Sequence, residues 1–125
     1  MFEPVSAFSG FSVDNLDKAR DFYGKTLGLE IDEDMGLNLK LPGGGKVFVY
    51  DKPNHKPATF TVLNFVVKDI DKAVDELTKK DVKFEKYDGM HQDDKGIARP
   101  PKEEYGPPIA WFTDPAGNIL GVIQA

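Results

Sequence analysis

Residues 10–25, GFSVDNLDKARDFYGK, fall over residues 64–79, NFVVKDIDKAVDELTK, when the chain is shifted against itself by 54 positions. Seven of the sixteen pairs are identical: Phe11/Phe65, Val13/Val67, Asp17/Asp71, Lys18/Lys72, Ala19/Ala73, Asp21/Asp75 and Lys25/Lys79. Two amphipathic segments of similar composition explain the Asp and Lys matches. They do not explain why Phe11 and Val13 match in the same register, so the pattern reads as a structural repeat.

Each copy carries the same physical signals. A strand ends at Val13 or Val67, and Asp14/Asn15 or Asp69 can then accept the free amide hydrogens of a helix start. Leu16, Ala19, Phe22, Tyr23 and Leu27 form one helical stripe, and Ile70, Ala73, Val74 and Leu77 form the other. Gly28 suits a left-handed helix end, while Lys79 and Lys80 suit the negative end of a helix dipole. Further strands are expected at 29–32, 37–41 and 47–50, and again at 82–87, 109–113 and 119–123. Turn chemistry separates them at Pro42-Gly43-Gly44-Gly45 and at Asp114-Pro115-Ala116-Gly117-Asn118. The stretch 88–108 is dense in Asp, Lys, Gly and Pro, and a loop of that length in a small domain is expected to be functional or mobile.

Bulk composition narrows the classes. A chain of 125 residues can bury its own core, and with no cysteine it has neither disulfides nor thiol chemistry. A net charge of −5 disfavours nucleic acid as a partner, since phosphate neutralisation needs a basic surface. No export signal opens the chain, and its strongly apolar runs, such as 60–67, are far shorter than the ~20 residues of a membrane-spanning helix. A cytoplasmic, soluble protein with no membrane partner is expected.

Val13-Asp14-Asn15-Leu16-Asp17-Lys18-Ala19, Phe22-Tyr23, Leu27-Gly28 and the closing Phe112-Thr113-Asp114-Pro115-Ala116-Gly117-Asn118 resemble the glyoxalase/bleomycin-resistance/dioxygenase, or vicinal oxygen chelate, superfamily. The resemblance spans essentially the whole chain. It implies an α+β fold in which two βαβββ modules form an open, curved mixed sheet around a cleft. It also implies one domain, 1–125, with modules 5–51 and 60–125 joined by a linker at 52–59. In metal-dependent members, one side chain from each of four strands binds a divalent cation; carried over by position, these are Phe8, Val49, Val62 and Gly121. None of the four offers a donor atom, so no metal and no cofactor are expected. The resemblance further implies a homodimer, since drug-binding relatives form their clefts between subunits.

Strand parity picks out the ligand-facing side chains. With Phe11 and Val13 under the helix, Phe8, Gly10 and Ser12 face the concavity, as Val62, Asn64 and Val66 do in the second copy. Pairing Gly45 with Gly117 sets a register of 72 residues at the module ends, which places Val49 with Gly121 and turns Ile119, Gly121 and Ile123 inward. Trp111 is either a cavity wall or a core aromatic, because the two halves give opposite parities there. The Asn64 amide is expected to bond a ligand, water, Ser12 or nearby backbone. His91, in GMHQDD, is the loop residue most suggestive of ligand contact, whereas His55, in DKPNHKP, reads as a solvated loop histidine. Arg99 reads as a solvated arginine with an anionic contact as the alternative, and Tyr105 as part of a lid. The expected ligand-binding set is therefore Phe8, Gly10, Ser12, Val49, Val62, Asn64, His91, Trp111 and Gly121.

Three functions from different classes follow. The first is a small-molecule-binding protein sequestering an organic ligand, with the acidic balance favouring a cationic one. The second is a glyoxalase-like lyase, isomerase or other enzyme with a non-standard or metal-free site, although no nucleophile–base pairing is legible and no catalytic residue is assigned. The third is an assembly module with a vestigial cleft.

Overall fold

The computed structural model describes residues 1–125, the side chain of Glu103 excepted. Its contacts gather into two compact units, Met1–Pro57 and Ala58–Ala125.

In the first unit, β1 (Ser9–Val13) leads into α1 (Leu16–Arg20), which continues as a π-wound turn over Asp21–Thr26. The strands β2 (Glu30–Glu33), β3 (Leu37–Lys40) and β4 (Lys46–Asp51) follow. Their sheet order is β1-β4-β3-β2, with β1 and β4 parallel and the other pairs antiparallel. Asn15 caps α1 by accepting the Lys18 amide hydrogen, and Gly28, at φ 73°, turns the chain out of the helix. The covered face carries Phe11, Val13, Leu37, Leu39, Val47 and Val49, packed with Ala19 and Tyr23 of the helix in the buried core.

The second unit repeats the plan. Strand β5 (Thr61–Val67) leads into α2 (Ile70–Lys79), and β6 (Ile109–Thr113) and β7 (Ile119–Gln124) close a sheet of order β5-β7-β6 with β5 and β7 parallel. Asp69 caps α2 through the Lys72 amide. The helix ends in a Schellman arrangement: Asp81 sits at φ 67°, Val82 N–H donates to Leu77 C=O, and Asp81 N–H donates to Thr78 C=O. An aspartate thus takes the left-handed position, and the buried Val82 supplies the apolar contact beyond it. Ile70, Val74, Ala110, Phe112, Leu120 and Val122 form the core.

Two elements depart from the expected reading. The strand foreseen at 82–87 is reduced to a bridge between Phe84 and Phe112, with Glu85 N–H donating to Trp111 C=O. The long 88–108 stretch, expected to be functional or mobile, is tied down at its middle. Ala98 pairs with Ile109 through two backbone hydrogen bonds, and Gln92 bridges Glu85 C=O, Gly96 C=O and Tyr87 N–H, so that Ile97 is fully buried. Three satisfied backbone groups on one glutamine explain how Gly96 and Ile97 can be buried inside an otherwise exposed irregular segment.

Candidate functional site

In each unit the helix covers one sheet face and leaves the other uncovered. Residues directly opposite one another across a ladder share a face, so the strand register assigns them.

In the first unit the uncovered row runs Asn38–Phe48–Gly10, with Tyr50 opposite Ser12 one step along. Phe48 and Tyr50 stack at 5.8 Å with 20° between their planes. Gly36 makes this possible, because a Cβ there would meet the Phe48 ring at 2.8 Å. Gly10 and Ser12 therefore lie on the uncovered face as expected. Phe8 precedes β1 and is exposed.

Val49 does not share their face. It is 0 % exposed and pairs with Phe11 and Leu37 on the helix side. The correction is one residue of register. Leu41 N–H donates to Gly45 C=O and Asp114 N–H to Asn118 C=O, so the two hairpins superpose with an offset of 73, not 72. Gly44, at φ 98°, is the counterpart of Gly117, at φ 86°, and Gly45 is not. A slip of one residue moves every side chain of a strand to the other face, which exchanges Val49 for Phe48.

The loop histidine His55 is also relocated. It is half-buried, and its Nδ1 shares a hydrogen bond of 2.7 Å with the Ser12 hydroxyl. Ser12 thus hydrogen-bonds to a residue that the sequence placed in solvent.

In the second unit the corresponding row is Trp111–Gly121–Asn64. Phe112 is fully buried on the covered face, so Trp111 turns away from the core and the conflict of parities is resolved. The Tyr87 ring stands edge-on to the indole at 5.6 Å, and burial, then the charge of Glu85, raises the Tyr87 hydroxyl pKa above its ordinary value. Gly121 is required by its neighbour: a Cβ at this position would overlap the Asn64 amide oxygen. Among the described residues that amide makes no hydrogen bond. Ile109 and Ile123, opposite one another, extend the apolar floor toward the exposed Val66. Val62 falls at a β-bulge between Thr61 and Leu63 and has no partner in β7.

His91 is exposed on the 88–108 segment, and no contact among the described residues ties it to the Trp111 row. Tyr105 is likewise exposed. Arg99 is not a free cation: its Nη2 lies 2.6 Å from Asp71 Oδ1 and its Nε 3.1 Å from Asp93 Oδ2. No group of three or more His, Asp or Glu side chains among the described residues is arranged to hold a metal ion. No helix among them is long and apolar enough to cross a membrane.

A strand–helix–strand unit that occurs twice in one chain, each time with one sheet face left uncovered, matches a known class. The chain belongs to the Glyoxalase/Bleomycin resistance protein/Dioxygenase superfamily, whose family model matches residues 7–122. Three solved structures illustrate the likeness. The antibiotic binding protein TnmS3 from Streptomyces sp. CB03234 is 24% identical, with 98% of each chain covered and a TM-score of 0.68. A superfamily member from Sphaerobacter thermophilus is 26% identical, covering 97% of this chain and 98% of its own, at a TM-score of 0.68. The fosfomycin resistance protein FosX from Listeria monocytogenes is 12% identical, covering 100% of this chain and 95% of its own, at a TM-score of 0.71. No curated protein matches the sequence.

Proposed function

We propose that this chain is a metal-independent small-molecule-binding protein that holds an organic ligand against the uncovered face of its sheets. The observation that carries this reading is the Trp111–Gly121–Asn64 row, in which an indole turned away from the core and an exposed amide that makes no hydrogen bond among the described residues flank a glycine. Small-molecule sites combine an apolar floor with a few placed polar groups, and this row has that composition. An antibiotic-binding protein and an antibiotic-resistance protein among the similar structures support the same class of ligand. The family's metal positions, with the corrected register, are Phe8, Phe48, Val62 and Gly121, and they supply no oxygen or nitrogen donor, which supports binding without a cation. In this reading the modules 5–51 and 60–125 serve one domain, the protein is cytoplasmic and it acts as a homodimer.

The test is thermal unfolding of the metal-analysed protein with flat organic compounds, cationic ones included, and separately with Mn²⁺, Ni²⁺ and Zn²⁺. Ligand at 100 times its Kd adds about 2.7 kcal/mol, a readily measured rise in Tm. A compound that stabilises the chain, with no response to the cations, is the expected result. Stoichiometric stabilisation by a divalent ion defeats the proposal.

A second reading is favoured by the Ser12–His55 hydrogen bond. A hydroxyl 2.7 Å from an imidazole nitrogen is a pair able to pass a proton, as a metal-free lyase or isomerase needs. Turnover that His55→Gln removes while binding persists would establish it.

A further inference from the structure

We infer that Asp88 is a site of spontaneous isoaspartate formation, and that the change releases the contact Tyr87 makes with Trp111. Asp88-Gly89 is the one place in the chain where an aspartate precedes a glycine, and no asparagine precedes one. The Gly89 nitrogen has no side chain beside it to hinder its approach to the Asp88 carboxyl carbon. The N–C bond forms as water leaves, closing a five-membered imide. Water then returns at either carbonyl. Breaking the new N–Cγ bond restores aspartate; breaking the original peptide bond instead runs the backbone through Cβ and Cγ and leaves the α-carboxylate as the side group.

The fold leaves this pair open to the reaction. Asp88 and Gly89 are both exposed, at the tip of a turn closed by Met90 N–H donating to Tyr87 C=O at 3.2 Å. Gly89 sits at φ 82°, and nothing lies within 4 Å of where a Cβ on it would stand. Among the described residues neither the Asp88 carboxylate nor the Gly89 N–H makes a hydrogen bond or an ion pair. The carboxylates of Asp69, Asp93 and Asp114, by contrast, are held by amide hydrogens of their own turns.

The rearranged backbone is longer by one carbon–carbon bond, about 1.5 Å. A turn bond of 3.2 Å already stands at the long end of the range for N–H to oxygen and cannot absorb that insertion. Tyr87 and Gln92 face each other across the turn: the Tyr87 N–H donates to Gln92 Oε1 at 2.7 Å, while the Tyr87 ring stands edge-on to Trp111 at 5.6 Å. Lengthening the turn parts the two residues and moves the ring. The chemistry at Asp88 needs no ligand and stands apart from the binding reading above.

The folded chain is incubated at neutral pH in heavy-oxygen water, then mapped by peptide mass spectrometry and labelled with an isoaspartyl methyltransferase. Heavy oxygen and methyl label should both accumulate in the peptide carrying residue 88, and the emission of Trp111, the only tryptophan, should shift to the red on the same time course. Asp88→Glu keeps the charge but requires a less favourable six-membered ring, so label and shift should both be lost. Asp88→Asn should reach the same product faster, with ammonia leaving in place of water. If the folded chain forms no isoaspartate at residue 88 while the same chain in urea does, the turn protects the bond and the inference is overturned. Isoaspartate found only elsewhere overturns it equally. Isoaspartate at residue 88 with unchanged Trp111 emission overturns the link to Tyr87.

Discussion

The two units use one scaffold and fill it in opposite ways. Their strand orders correspond, β1-β4-β3 with β5-β7-β6, and so do their parallel pairs. The central row of the uncovered face reads Gly10–Phe48–Asn38 in the first unit and Asn64–Gly121–Trp111 in the second. In the first, a large side chain occupies the middle strand between a glycine and an amide. In the second, the glycine takes the middle and larger groups stand on either side. The first row thus fills its centre with the ring of its own middle strand, whereas in the second the Asn64 amide of the neighbouring strand lies over a buried glycine. Duplication supplies the frame, and the exchange of one bulky residue for glycine on the middle strand makes the two faces chemically distinct.

The sharpest way to break this picture is to remove side chains from opposite faces of the same strand. Phe112 is fully buried and its ring lies 5.5 Å from Phe84, so Phe112→Ala should cost about 3–5 kcal/mol in urea unfolding. Its neighbour Trp111 faces outward, and Trp111→Ala should cost clearly less than Phe112→Ala. If Trp111 proves the costlier, the face assignment of β6 is wrong. The same contrast in the first unit examines the register. Val49→Ala should cost about 2 kcal/mol, from lost burial plus a residual cavity. Tyr50→Ala, at a residue 37 % exposed, should cost well under half of that. Comparable losses at the two positions would restore the 72-residue alignment.

That one-residue difference also shows what was legible in the sequence. Phe11 and Val13 recurring as Phe65 and Val67 disclosed the duplication, both helices and their caps, because helix periodicity and capping are written locally. The faces of β1 and β5 followed from the same parity, and that of β7 from the turn-glycine register of 72 residues. The face of β4 did not, since the run Gly43-Gly44-Gly45 offers three candidate turn glycines and only backbone geometry shows that Gly44 matches Gly117. Phe48 and Tyr50 were missed for that reason alone, although the alternation in Val47-Phe48-Val49-Tyr50 was visible. Val62 was beyond reach, because a β-bulge breaks strict alternation without a distinctive residue. His55 was missed because its partner Ser12 lies 43 residues away.

A finer test addresses the glycine at the centre of the second row. Gly121→Ala places a methyl where the Asn64 amide oxygen lies, and that flexible side chain can swing aside. A cost of about 1 kcal/mol is expected, of the order of a disturbed rotamer, and it should vanish in an Asn64→Ala background. Ligand binding should suffer more than stability, because the displaced amide is the polar group of the proposed binding row. A double-mutant cycle with no coupling would show that the Asn64 amide does not lie over Gly121.

The smallest expected effect lies in the segment that has no counterpart in the first unit. The Asp93 carboxylate accepts from Lys95 N–H, Ile97 N–H and Arg99 Nε, while Arg99 and Lys95 reach Asp71 and Asp75 on α2. The Arg99 hydrogen bond holds the Asp71 pKa below its ordinary value. Burial pushes Asp93 the other way, but the Ile97 amide and Arg99 outweigh it, and its pKa is also lowered. A carboxylate with a depressed folded pKa adds stability above its unfolded value, about 3.9, and that stability is lost as pH falls through the folded value. Hydrogen exchange should therefore show constant protection of the Ala98 amide from pH 7 to 5 and a loss below about pH 4, ahead of the amides shared by β6 and β7. High salt should loosen the same segment slightly at neutral pH, since the pairs are solvent-exposed and screened. If Ala98 instead opens only together with β6 and β7, the segment is part of their cooperative unit. Its burial of Ile97, and not its ion pairs, would then be what secures it.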